Sequence, residues 1–175
     1  MMKNARILAG LSALVLMLTW ACAVFGEEAP RSVLLVQLPE DAQMIENIEF
    51  EDGDFIQTYQ LSGGARVQLL RYADFDMTLE ELVQSEWTGA TDVSAVDISS
   101  ISGNPASGVS LTYAEEGQEE VRATLVLVTA GQDSLVFQAV YPSSLGEEQI
   151  SSVVQEMIDG MEVLGGAGAA MQEVG

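Results

Sequence analysis

The chain has 175 residues and a formal charge of −21, from 27 acidic residues against six basic ones, and it contains no histidine. All 27 acids but only four arginines (Arg31, Arg66, Arg71 and Arg122) follow residue 26, and beyond that point lysine and cysteine are absent as well. This inventory excludes a Ser-His-Asp triad, a cysteine nucleophile, a Schiff-base lysine and a zinc site built on nitrogen or sulfur, since each needs side chains that the stretch lacks.

Lys3 and Arg6 precede an apolar run over residues 7–21 (ILAGLSALVLMLTWA) that small residues close, the pattern of an export signal over 1–26. A membrane span needs about 20 apolar residues, and here Glu27 and Glu28 follow at once, so a signal is expected and an integral span is not. Cleavage after Ala23 and after Gly26 both fit the small-x-small rule. Cys22 is a candidate lipidation site, because Ala21-Cys22 matches the end of a bacterial lipobox while Thr19 and Trp20 depart from it. The expected location is extracytoplasmic, either free or anchored as a lipoprotein through Cys22.

Loss of Lys3 and Arg6 with the signal takes the formal charge to −23. Such a field repels nucleic acid and anionic membrane surfaces and attracts cations and basic proteins. Aliphatic residues are too frequent for a disordered acidic tail, and about 149 residues suffice for one core without disulfides. The expected organisation is a leader and first strand over 27–44, a single α+β domain over 45–164 and a Gly/Ala-rich tail over 165–175.

In chain order, residues 32–38 read as a first strand ending at Pro39, and residues 39–47 as a loop or short helical turn. Residues 47–51 and 54–61 read as strands joined at Asp52-Gly53, a strong hairpin signal. Gly63-Gly64 makes the next turn and 65–72 the next strand. Thr78 opens a helix, with Glu81 completing a capping box and Leu79, Leu82, Val83 and Trp87 on one face. A strand over 93–101, a GNPASG connection and a strand over 108–114 follow. Residues 121–130 are apolar on both faces in their middle, as a central strand would be, and Gly131-Gln132-Asp133 turns the chain into a strand over 135–141. Ser144 and Glu147 form a second capping box before Ile150, Val153, Val154, Met157, Ile158 and Met161, whose spacing of three and four marks an amphipathic helix. The sum is an α+β fold with a largely antiparallel twisted sheet flanked by helices.

This order, with its TLEEL helix start at 78–82, the SSISGNPASGVSLTY strand and turn at 99–113 and the closing amphipathic helix, resembles the PsbP-like fold over about residues 45–164. That fold occurs in an extrinsic subunit of the photosynthetic oxygen-evolving complex, in Ran-binding Mog proteins and in small secreted or lipid-anchored bacterial proteins of unknown function. The resemblance implies an αβα sandwich, with the closing helix packed on the sheet, used for binding or assembly, and it carries over no catalytic residues.

Two groups of residues are candidates for a site. Glu49, Glu51, Asp52 and Asp54 surround Gly53 and could offer oxygens to calcium, although their spacing is not that of an EF-hand; calcium is the sole cofactor considered. Arg66, Arg71 and Arg122 are the candidate anchors for an acidic ligand or a partner's carboxylate, with Arg66 and Arg71 on opposite faces of one strand. The reading is a secreted, non-catalytic binding or accessory module that meets a protein or cell-envelope partner through its sheet face or a groove beside the closing helix. Its alternatives are a hydrolase using carboxylates alone and a calcium-stabilised surface module.

Overall fold

A computed structural model describes residues 31–114, 117–145 and 147–165, without the side chains of 147–149. The expectations for the export signal, Cys22, Glu115, Glu116 and residues 166–175 lie outside the described residues. The unit described begins at Ser32. It is an α+β fold made of a mostly antiparallel sheet and two helices.

The strands are β1 (Val33–Leu35), β2 (Gln43–Glu49), β3 (Phe55–Gln60), β4 (Arg66–Tyr72), β5 (Thr91–Val96), β6 (Ser100–Ile101), β7 (Asn104–Tyr113), β8 (Val121–Ala130), β9 (Asp133–Pro142) and β10 (Glu162–Leu164). The helices are α1 (Leu79–Glu86) and α2 (Glu147–Asp159). The main sheet runs β2-β3-β4-β9-β8-β7-β5, with β6 paired to β7, while β1 and β10 pair with each other. Every described pairing is antiparallel.

Alternation along these strands sorts the core into two clusters, because directly opposed residues in antiparallel strands share a face. On one face Val67 and Leu69 of β4 join Val126 and Val128 of β8 and Leu135, Phe137 and Ala139 of β9, in one cluster with Val154, Met157 and Ile158 of α2. On the other, Leu125 and Leu127 of β8 and Val136 of β9 join Val109 and Leu111 of β7, together with Leu82 of α1 and Trp87. The middle of β8 is therefore buried on both sides, which is why its sequence shows no alternation.

Local signals are obeyed where they are strong. The Thr78 hydroxyl accepts from the Glu81 amide at 3.2 Å and the Glu81 carboxylate accepts from the Thr78 amide at 2.9 Å, the expected capping box. Ala130 opposes Asp133, so Gly131 and Gln132 form the turn. For α2, the Ser144 hydroxyl donates to Glu119, and the side chain of Glu147 is outside the description.

Four boundaries differ from the sequence reading. The strand expected at 47–51 begins at Gln43, inside the expected loop, and its register shifts between Met44 and Glu46, which places a bulge at Ile45. All seven of its residues are exposed, so no buried face imposed an alternation. The strand expected over 93–101 is broken into β5 and β6 at residues 97–99. The GNPASG connection shrinks to Ser102-Gly103, both at positive φ, a two-residue hairpin turn that lets β7 start at Asn104. Finally, β10 was not expected; three residues carry no periodicity, and pairing with β1 makes it a strand.

The helix stripe gives a direct test of packing. Met157 is buried among the sheet cluster whereas Val153, one turn earlier, is exposed. Met157→Ala should lower the unfolding free energy by about 2–5 kcal/mol, and Val153→Ala by less than about 1 kcal/mol, both read from urea denaturation.

Candidate functional site

A groove of about 380 Å³ opens where α2 passes the ends of β4 and β9. Its floor follows from the pairing of Val67 with Ala139, which sets Val67, Ala139 and Tyr141 on one face. Its walls are Ile150, Val153, Val154 and Met157 from α2, Leu61 and Gly63 from the turn after β3, and Leu145. Gly63 is constrained twice: its φ is +73°, and a Cβ there would lie 3.2 Å from Leu145 Cδ2. A larger residue would press on Leu145 and change the groove's mouth.

The polar groups of the groove are Asp41, Ser62 and Arg66. Asp41 Oδ2 accepts from the Ser62 amide at 3.2 Å. Hydrogen bonding from Ser62 holds the Asp41 carboxyl below its ordinary value against a small opposing effect of burial. Arg66 opposes Val140 and Gln60, which lie on the other face of the sheet from Val67, and its Nε donates to Gln60 Oε1 at 3.3 Å. It is among the residues that line the groove.

Arg71 is on the opposite face of β4 from Arg66, as the spacing implies, and it is buried. Its Nε donates to the Gly53 carbonyl at 2.7 Å, Nη2 donates to the same oxygen, and Nη1 donates to the Ser32 carbonyl at 3.3 Å. Its guanidinium carbon lies 5.0 Å from the centre of the Phe55 ring. Arg71 thus ties the β2–β3 hairpin tip and the start of β1 to the sheet. Arg122 is half-buried on β8, opposite Thr112 and Tyr141. The three arginines do not converge on one site.

The four hairpin carboxylates are partly engaged by backbone. Asp52 Oδ1 accepts from the Asp54 amide at 3.2 Å, and Asp54 Oδ1 accepts from the Ala73 amide at 2.6 Å. Glu49 is the last residue of β2 and Glu51 is exposed in the turn. Among the described residues no group of three or more Asp, Glu, His or Cys is placed to hold a metal ion. Trp87 is buried with its ring edge-on to Tyr113, centroids 5.5 Å apart, and so serves the core.

The sequence reading anticipated the groove's helix but not its turn. Leu61, Gly63 and Leu145 come from separate segments, and the visible signal, Gly63-Gly64, marked a turn without saying what it would face.

Two outcomes follow. Arg71→Lys cannot reproduce the planar fork between two carbonyls and leaves a buried acceptor unmet, so it should cost about 1–3 kcal/mol in urea denaturation; Arg66→Lys should stay within about 0.5 kcal/mol. For Asp41, a lowered folded value means that its hold on Ser62 is complete above the ordinary carboxyl value, near pH 4, and is lost as pH falls through the lower folded value. The Ser62 amide shift should titrate below about pH 4, and that titration should vanish in Asp41→Asn.

No family model and no curated protein matches the chain, so the PsbP-like resemblance rests on the order of elements. Among solved structures the chain is similar to LpqN of Mycobacterium tuberculosis, described as involved in cell envelope biogenesis, at 12% identity and a TM-score of 0.45, over 79% of this chain and 87% of that one. A likeness at that level transfers neither a family nor a role.

Proposed function

We propose that the protein is a non-catalytic binding or accessory module of the extracytoplasmic space, whose groove beside α2 receives an apolar group presented by an envelope component or a partner protein. The observation that carries this reading is the groove itself: an aliphatic lining from β4, β9 and α2, with a few polar groups at its border, is the usual form of a ligand pocket. Support for a non-catalytic role comes from its chemistry. A hydrolase using carboxylates alone needs two of them about 5–10 Å apart, and among the described residues the lining brings one, Asp41. Support for an extracytoplasmic setting comes from the signal-like 1–26 segment and from an acidic, lysine-free remainder.

The test uses a neutral single-chain probe, dodecyl maltoside below its micelle concentration, titrated into the labelled protein and followed by amide shifts. Saturable changes should cluster at residues 61–67, 139–141 and 150–157. Val153→Glu alters an exposed position at the groove and should weaken binding about tenfold, equivalent to roughly 1.4 kcal/mol, with an unchanged melting temperature. Absence of saturable binding, or changes confined to the other face of the sheet, would remove the groove from this role.

A further inference from the structure

The sheet carries a second candidate surface, independent of the groove, at its β2 edge. β2 ends the strand order, so one side of its backbone has no neighbour among the described residues. Edge strands invite added strands and are normally blunted by lysine, proline or a bulge. β2 has no lysine or proline; its bulge at Ile45 leaves residues 46–49 in regular register with β3. It and the turn after it expose four large apolar side chains, Met44, Ile45, Ile48 and Phe50, at 51%, 55%, 38% and 47%.

Register defines what lies beside that edge. Ile48 opposes Ile56, which opposes Leu70, a continuous apolar row on the face opposite the groove. Beside it runs a polar row, Glu46, Thr58, Gln68 and Gln138. The polar row is satisfied from within: Thr58 donates to Glu46 at 2.9 Å, Gln68 to Thr58 at 3.2 Å and Gln138 to Gln68 at 3.2 Å. Thr58, Gln68 and Gln138 each turn a donor along the row, which leaves the apolar row as the contact surface.

Charge narrows the choice further. Glu46 and Glu49 lie on β2 and Glu51, Asp52 and Asp54 on the turn after it. Tyr72, two residues along β4 from Leu70, has its hydroxyl pKa raised, chiefly by burial and then by the fields of Glu86 and Asp54, so carboxylates border this face as well. The arginine on the same face, Arg66, is four residues from Leu70, about 13 Å along the strand, beyond a Debye length of about 10 Å at 0.1 M salt. A second copy would bring this acidic edge and turn beside an identical acidic edge and turn, and an anionic lipid surface would be repelled.

We propose that β2 is a docking edge for an extended, basic segment of a partner protein, which pairs with residues 46–49, sets an apolar side chain against Ile48 and, on the opposite face, sets lysine or arginine against Glu49. This is strand addition, with backbone hydrogen bonds for affinity and alternate side chains for selection.

The test compares three synthetic peptides by titration calorimetry at 0.1 M salt: Ac-KVKIKVK-amide, its proline-interrupted counterpart Ac-KVKPKVK-amide with the same charge, and Ac-EVEIEVE-amide. The first should bind at least about tenfold more tightly than the second, a difference of roughly 1.4 kcal/mol, and the third should not bind. Ile48→Thr, which keeps a β-branched residue at an exposed strand position, and Glu49→Gln should each weaken the first several-fold at unchanged melting temperature. Equal binding of the two basic peptides would reduce the effect to diffuse charge and overturn the proposal. Binding indifferent to Ile48→Thr would do the same, as would sedimentation showing that the edge is already closed by a second copy. Because the groove lies on the other face, its dodecyl maltoside titration fails or succeeds separately.

Discussion

The structure depends on a hairpin with two buried faces. β8 and β9 are joined by a two-residue turn and pair over ten positions, and each supplies alternating side chains to both hydrophobic clusters: Val126, Val128, Leu135 and Phe137 to one, Leu125, Leu127 and Val136 to the other. The middle of a strand so placed has no solvent face on which to tolerate a charge. Among the described residues the acids lie on β2, β5, β10, the helices and the turns, and on β9 at its first residue alone, Asp133. The same constraint sets the position of the groove, since Ala139, which lines it, is small among the large β9 side chains that fill the cluster with Val67 and Met157.

Arg71 is the complementary case, a cation placed inside an acidic protein. Burial of a guanidinium costs free energy unless its donors are met, and here the acceptors are backbone carbonyls of Gly53 and Ser32 with the Phe55 ring below the guanidinium plane. Neutral carbonyl partners mean that no carboxylate has to be desolvated with it. The result is that the hairpin tip, rich in Glu51, Asp52 and Asp54, is fixed from beneath by the positive charge while its acids remain at the surface. An arginine that looked available to a ligand is in fact consumed by the fold.

Elements written in local chemistry were legible in the sequence. The Thr78–Glu81 box, the turn at 131–132, the two-sided β8 and the α2 stripe each depend on residues within one or two turns of one another. Elements defined by pairing partners were not. β2 has no buried face to impose a period, β10 exists because β1 lies beside it, and Pro105 sits in a strand because its partner Ser100 lies in a strand of only two residues. The candidate site shows the same division. Spacing placed Arg66 and Arg71 on opposite faces, but which face is buried depends on Arg71 opposing Leu135 and Phe55, a tertiary fact. The groove joins Leu61, Leu145 and Ile150, and no local pattern links them.

Under the proposed reading, the two faces divide the work that a strongly charged binding module has to do. Repulsion among surface acids would oppose self-association, and the absence of lysine beyond the signal-like segment leaves a predominantly negative field. Such a field speeds encounter with a basic partner but selects poorly among basic partners, because diffuse charge contributes to association rate more than to residence time. Selection has to come from short-range contact, and the surface offers it in two places, the aliphatic groove beside α2 and the Ile48–Ile56–Leu70 row at the β2 edge. The first is a concavity and suits a compact apolar group; the second is a strand edge and suits an extended chain. In this reading the acids set how fast a partner arrives, and the apolar surfaces set which partner stays.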